Sequence, residues 1–442
     1  MTTALVPTDR RLAPSLVDAV GWLTVYVVLL LFVPTRLVVG PLGSAGAPSM
    51  LFGLGSLILW MFIRLGAGRA GPTNTQPVRI ALGIFLISVG ITYVLAMAGP
   101  MNPAELSPAD VALLSLASWG GTLLLTHDNI PDRSRLDTLI WRICVCGALI
   151  ALLGIFQVLT RQIWVDQLSI PGLTGSPGYS LSGRGGFPRP SGTATHPIEY
   201  GTLITMILPI ALYVGFHQTT RPLLVRWLPA AALAAVVPLT SSRSAYLGAA
   251  VGLIICLIGW NRTRRLRALA VVVAAVAAMS VVTPNLFKSI IGLFAGAAGD
   301  PSIASRTDSY SLAVEFLLRK PLFGRGLGTF LPIYRIFDNE YLLLLVTVGV
   351  VGTLAFLALG VTGFVAVLRV RPTVRDEGTR DLALALAAAI ATGFVCLFTF
   401  DAFAFPMTMG TLFLILGLAG SLRRIVGTRA VFTPLAGARN VG

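Results

Sequence analysis

Residues 338–360 read DNEYLLLLVTVGVVGTLAFLALG, with Asp338, Asn339 and Glu340 at the head of an apolar run that continues to Leu368. The run exceeds the roughly 20 residues that a helix needs to cross about 30 Å of hydrocarbon. Further apolar runs lie near 18–34, 49–66, 80–98, 109–126, 138–160, 198–216, 226–240, 245–260, 268–283, 382–400 and 406–422. The whole chain is 55% hydrophobic and 12% charged, with a mean hydropathy of +0.83. It has too little polar surface to cover a soluble globule. The reading is an all-α, polytopic integral membrane protein with about twelve transmembrane helices. The plain account of Asp338, Asn339 and Glu340 is then a polar boundary in the headgroup layer.

Orientation follows from the arginines, because cytoplasmic loops carry the excess of basic residues. Arg10, Arg11, Arg64, Arg69, Arg79, Arg133, Arg135, Arg142, Arg221 and Arg226 fall on one side, with the run NRTRRLR, Arg369, Arg371, Arg375, Arg380 and the arginines from Arg423 onward. That side is read as the cytoplasm, with both termini in it. The formal charge of +15 therefore reflects topology and anionic lipid, with no call for nucleic acid. The start DRRLAPS leads into a full-length span without a cleavage site, so the first span is expected to be retained. Cys144, Cys146, Cys256 and Cys396 all fall within apolar runs and read as core residues.

This topology leaves two long outer loops, about 161–197 and 284–340. The first is rich in Gly, Pro and Ser and ends in Arg184, Arg189 and His196 at the membrane. Outward basic residues run against the topological trend. In the second, SRTDSYSLAVEFLLRKP, Ser305 and Asp308 resemble a capping box and put Arg306 in the first helical turn. Tyr310, Ala313, Val314 and Leu317 recur at helical spacing, which predicts an amphipathic helix on the outer membrane surface. A helix N-terminus and a guanidinium together suit a phosphate. The following GRGLG has neither a preceding strand nor a following Lys-Ser/Thr, so it reads as a turn. Arg243, in TSSRSAYLG, and Asp401, in FTFDAFAFP, lie close to the hydrocarbon, where a charge is expensive unless paired or facing water.

The order of RPSGTATHPIEYG, SSRSAYLG, SRTDSYSLAVEFLLRKPLFGRGLGTF and DNEYLLLLVTVGVVG resembles the O-antigen ligase and polymerase superfamily. The motifs cover roughly residues 185–355. The resemblance implies a GT-C-type glycosyltransferase of the bacterial plasma membrane. It would move a glycan from an undecaprenyl-diphosphate carrier to a lipid, glycan or protein acceptor on the outer face, without a metal ion or other cofactor. Arg243 and Arg306 match the family's arginines thought to hold the carrier diphosphate. Arg189, Gly192 and Thr193 match its R-x-x-G-T segment, and Pro321, Gly324 and Gly326 its P-x-x-G-x-G.

One departure matters: ligases typically carry His-Asn where this chain has Asp338-Asn339, and that His is the proposed general base. A carboxylate can fill the role, since inverting glycosyl transfers commonly use one. The expected site is thus Asp338 as base and Asn339 orienting, with Arg243, Arg306 and Arg189 on the diphosphate and His196, Ser305 and Glu340 lining the cleft. The expected organisation is transmembrane helices over 1–160, a catalytic region over 161–355, further transmembrane helices over 356–424 and a cytoplasmic tail over 425–442. The rival readings are a polysaccharide flippase or secondary transporter, and an inactive scaffold of the same fold.

Overall fold

The computed structural model describes residues 18–66, 76–175, 183–184, 187–295 and 301–432. Fifteen α-helices occupy them: α1 (Ala19–Phe32), α2 (Pro48–Gly66), α3 (Pro77–Met97), α4 (Pro103–Asn129), α5 (Arg133–Thr160), α6 (Pro197–His217), α7 (Leu223–Val236), α8 (Arg243–Gly259), α9 (Arg262–Val282), α10 (Pro284–Ala295), α11 (Pro301–Arg319), α12 (Glu340–Thr347), α13 (Gly349–Leu368), α14 (Glu377–Cys396) and α15 (Pro406–Phe432). Seven of them open on proline, whose fixed φ suits the first helical position and whose missing N–H costs nothing there. Asp18, Asp132, Asn261 and Asp376 cap four others with their side chains. A two-stranded antiparallel sheet, β1 (Leu37–Val39) on β2 (Leu173–Gly175), ties the turn after α1 to the loop after α5.

Ten helical segments are long and apolar enough to cross a membrane. Helices α1 and α8, with 14 and 17 residues, are shorter. At about 1.5 Å per residue, α1 reaches only about 21 Å. Helices α6, α14 and α15 form the centre, with about four-fifths of each apolar window buried, whereas no residue of α9 is buried.

Among the described residues, Arg64, Arg79, Arg133 and Arg264, which the sequence assigns to one side, lie at or beside two acids at one end of the bundle. Asp128 accepts from Arg64 (2.7 Å), Arg79 (3.1 Å) and Trp60 (2.9 Å). Asp381 meets Arg264 (2.5 Å) and His217 (2.7 Å). Arg133 reaches Thr379 and Tyr213 beside them.

The run 341–368, expected as one span, is broken between α12 and α13. Gly349 has φ +67°, a conformation that glycine adopts at little cost. The loop after α11 replaces the lost helical hydrogen bonds. Arg325 N–H and Gly326 N–H donate to the carbonyls of Val346 (3.1 Å) and Thr347 (2.8 Å), while Val350 and Val351 N–H donate to Pro321 (2.9 Å) and Leu322 (3.1 Å). The GRGLG turn is therefore a splice between two half-helices, which is why Gly324 is needed: a Cβ there would lie 2.5 Å from the Thr347 carbonyl. At Gly349 the added Cβ would lie 2.4 Å from the Leu322 carbonyl. Gly349→Ala should thus cost about 1–3 kcal/mol and lower the thermal unfolding midpoint in detergent. Gly90→Ala, whose Cβ meets open space, should leave it within error.

One further expectation is corrected here. Helix α11 begins at Pro301 rather than at Ser305, because proline is the stronger start signal, so Arg306 sits in the second turn. Ala313 and Phe316 pack on Phe330, Phe337, Leu342 and Val346, while Tyr310 and Val314 are exposed. The helix lies on protein along that stripe.

Candidate active site

The first loop supplies a rigid base. Gln157, fully buried on α5, accepts from Ser191 N–H (3.2 Å) and Gly192 N–H (2.8 Å) and donates to the Gly192 carbonyl (2.8 Å). The Thr193 hydroxyl donates to the Leu31 carbonyl. These bonds fix the segment between Arg189 and His196. Arg189 is buried, and its Nε donates to the Thr240 carbonyl (3.1 Å), bracing the turn between α7 and α8. Three residues on, after Ser241 in the left-handed region (φ +45°), Arg243 opens α8. It is half-buried.

His196 caps α6, with Nδ1 accepting the Ile198 N–H (3.1 Å). That bond leaves the proton of the neutral ring on Nε2. Burial, and then the nearby Arg189 charge, hold the imidazole below its ordinary pKa.

Asp338 stands on a strained turn with φ +52°, a region sparsely populated by residues other than glycine. Asp401 holds the turn. Its carboxylate accepts Phe337 N–H at Oδ2 (3.2 Å) and Asn339 N–H at Oδ1 (3.0 Å), one amide on each side of Asp338. Phe337 is fully buried against Phe330, and Asn339 caps α12 through Oδ1 to Tyr341 N–H (3.0 Å) and Leu342 N–H (3.4 Å). The amide expected to orient substrate therefore spends its oxygen on the helix that carries the site. Asp338 itself is half-buried.

Glu340 is not the headgroup-layer residue that its position at the start of an apolar run suggested. It is fully buried, and Oε2 accepts the Phe403 N–H (2.9 Å). Burial, aided by the neighbouring Asp401 charge, raises its pKa well above the ordinary carboxylate value. A group raised on folding contributes its stability below its unfolded pKa, near 4.3, and loses it as pH rises through the folded value. Glu340→Gln keeps an acceptor for Phe403 and cannot ionise. Its unfolding midpoint should fall less than that of the native chain between acid and neutral pH, as thermal melts across that range would show.

The segment 397–405 gathers these pieces. The hydroxyls of Thr399 and Ser244, next to Arg243, lie 2.7 Å apart. Asp401 holds the Asp338 turn, Phe403 N–H reaches Glu340, and the Phe405 ring lies 6.3 Å from that of His196. Just beyond, Met407 N–H donates to Glu199 (2.8 Å), which also accepts from Thr195 N–H (3.0 Å). Arg189, His196, Arg243, Asp338, Asn339 and Glu340 thus share one end of the bundle, opposite Asp128 and Asp381. The side chains of Ser305 and Arg306 lie outside the described residues. The sequence reading gave no role to Gln157 or Glu199 and raised only a question at Asp401. An acid within the aromatic stretch FTFDAFAFP was the available signal for Asp401.

Taken together, these features define a polytopic helical membrane protein with guanidinium groups and carboxylates assembled at one end of the bundle. Residues 228–357 match the family model described as O-antigen ligase, which supports the O-antigen ligase/polymerase superfamily. That superfamily carries a ligase- or polymerase-like membrane function in polysaccharide biosynthesis. The match includes Arg243, Arg306 and Asp338 and leaves out Arg189, His196 and Asp401. No curated protein matches the chain.

Proposed function

We propose that the chain is a glycosyltransferase of the bacterial plasma membrane that works on the outer face. It takes a glycan from an undecaprenyl-diphosphate carrier and joins it to an acceptor glycan or lipid, as a ligase or polymerase. The observation that supports this reading is that His196, the Asp338 turn and Ser244, next to Arg243, all meet the 397–405 segment, while Arg189 braces the turn that leads into Arg243. Arg243 and Arg306 hold the diphosphate by charge-assisted, two-point hydrogen bonds. An acceptor hydroxyl attacks the anomeric carbon, Asp338 takes its proton, and the bond from that carbon to the diphosphate oxygen breaks. The carrier leaves as the diphosphate, its charge offset by the arginines. Attack opposite the leaving group inverts the anomeric centre. The catalytic region, 161–355, supplies every group in this step, and Asp401 holds the base from outside it.

A transporter reading needs a membrane with two sides, whereas group transfer does not. In detergent micelles containing EDTA, the purified chain should convert undecaprenyl-diphosphate-linked glycan and acceptor into a covalent product of inverted configuration. Carrier binding without product in micelles would favour the transporter, and product that vanishes with EDTA would refute the metal-independent step.

A further inference from the structure

Beside the candidate site, a shallow recess opens between the turn after α1, the short helical turn Trp164–Gln167 and the segment 191–195. Its polar lining is Thr35, Arg36, Asp166, Ser191, Thr193 and Thr195. Segment 191–195, which links Arg189 to His196, forms its floor and is locked from behind by Gln157. Its wall is equally fixed: Arg36 Nη2 donates to the carbonyls of Val165 (3.0 Å) and Asp166 (2.8 Å), and Nε lies 3.4 Å from Asp166 Oδ1. The recess is thus assembled from three distant parts of the chain before any ligand arrives.

Its chemistry points away from an ionic ligand. The charges of Arg36 and Asp166 offset each other, so neither an anion nor a cation is drawn in. The Thr35 and Thr195 hydroxyls lie 2.5 Å apart. One donates to the other, which leaves one proton and several lone pairs for a ligand. The Thr193 proton is spent on Leu31, so that hydroxyl offers lone pairs alone, and the Asp166 carboxylate adds strong acceptors. Donors and acceptors alternating without net charge suit adjacent hydroxyls on a sugar ring.

We propose that this recess is a subsite for a neutral sugar, gripping the hydroxyl-bearing edge of one residue of the transferred or accepting glycan. The inference rests on the glycosyltransferase reading for its purpose, and its test separates the two. The full chain in lipid nanodiscs is titrated with methyl glycosides of neutral hexoses and with methyl glucuronide, by saturation-transfer NMR. Undecaprenyl diphosphate binding is followed in parallel by thermal shift. Neutral glycosides should bind the native chain, and Asp166→Asn and Thr35→Val should each weaken them about tenfold or more, the effect of losing one hydrogen bond to a charged or well-aligned group. Arg243→Ala should leave glycoside binding unchanged, and Asp166→Asn should leave carrier binding unchanged. With both substrates present, an increased KM for the acceptor alone in Asp166→Asn assigns the sugar to the acceptor, and for the donor alone to the carrier-linked glycan. Unaltered glycoside binding in both variants, preferred binding of the glucuronide, or no glycoside binding at all would overturn the subsite. Glycoside binding as expected, with no carrier bound, would leave the subsite standing and remove the enzyme reading.

Discussion

Asp338→Asn should retain carrier binding while turnover falls by about 10²–10⁴-fold, the range for loss of a general base. Asparagine is nearly isosteric and tolerates a positive φ, so the turn held by Asp401 through Phe337 and Asn339 should persist. What disappears is the ability to take a proton from the acceptor hydroxyl. Steady-state turnover beside carrier thermal shift separates the two effects. Turnover near the native level with normal binding would return Asp338 to a turn residue. Asp401→Ala should mimic the loss less severely, because it removes the clamp and leaves the base.

Arg243→Ala and Arg306→Ala should each abolish measurable transfer with expression intact. Each removes a charge-assisted contact worth about 1.5–3 kcal/mol, so carrier affinity should fall roughly 10- to 100-fold, and the same group is lost where charge develops on the leaving diphosphate. Lysine should rescue poorly at either position, since an ammonium cannot make the planar two-point contact. Arg243 opens α8 with its outer neighbours already fixed by Arg189 on Thr240 and by Ser244 beside Thr399, so alanine there should not disturb folding. Full activity in Arg306→Ala would sink the diphosphate assignment.

The class of fold was legible because lipid imposes one demand, about 20 apolar residues per span, and arginines add a second. The sorting of Arg64, Arg79, Arg133 and Arg264 to one end, around Asp128 and Asp381, follows from both. The break at Gly349 was not legible. Nothing in the periodicity of 341–368 says that Gly326 N–H and the Pro321 carbonyl will stand in for helical partners. Arg243, Asp338 and His196 could be picked out as polar residues at apolar boundaries. Asp401 and Glu340 act through backbone N–H groups of Phe337, Asn339 and Phe403, and long-range bonds to backbone leave no pattern in a sequence. Glu340 looked like a boundary residue for that reason.

In the proposed mechanism the side chain at position 338 accepts the proton. The pH–rate profile of Asp338→His tests it most directly. An imidazole ordinarily takes up its proton at a higher pH than a carboxylate does, so an active histidine variant should lose activity on acidification at a higher pH than the native chain. Glu340→Gln should keep the native acidic limb. An acidic limb in Asp338→His that coincides with that of the native chain, at comparable turnover, would mean that the proton goes elsewhere and that Asp338 is not the base.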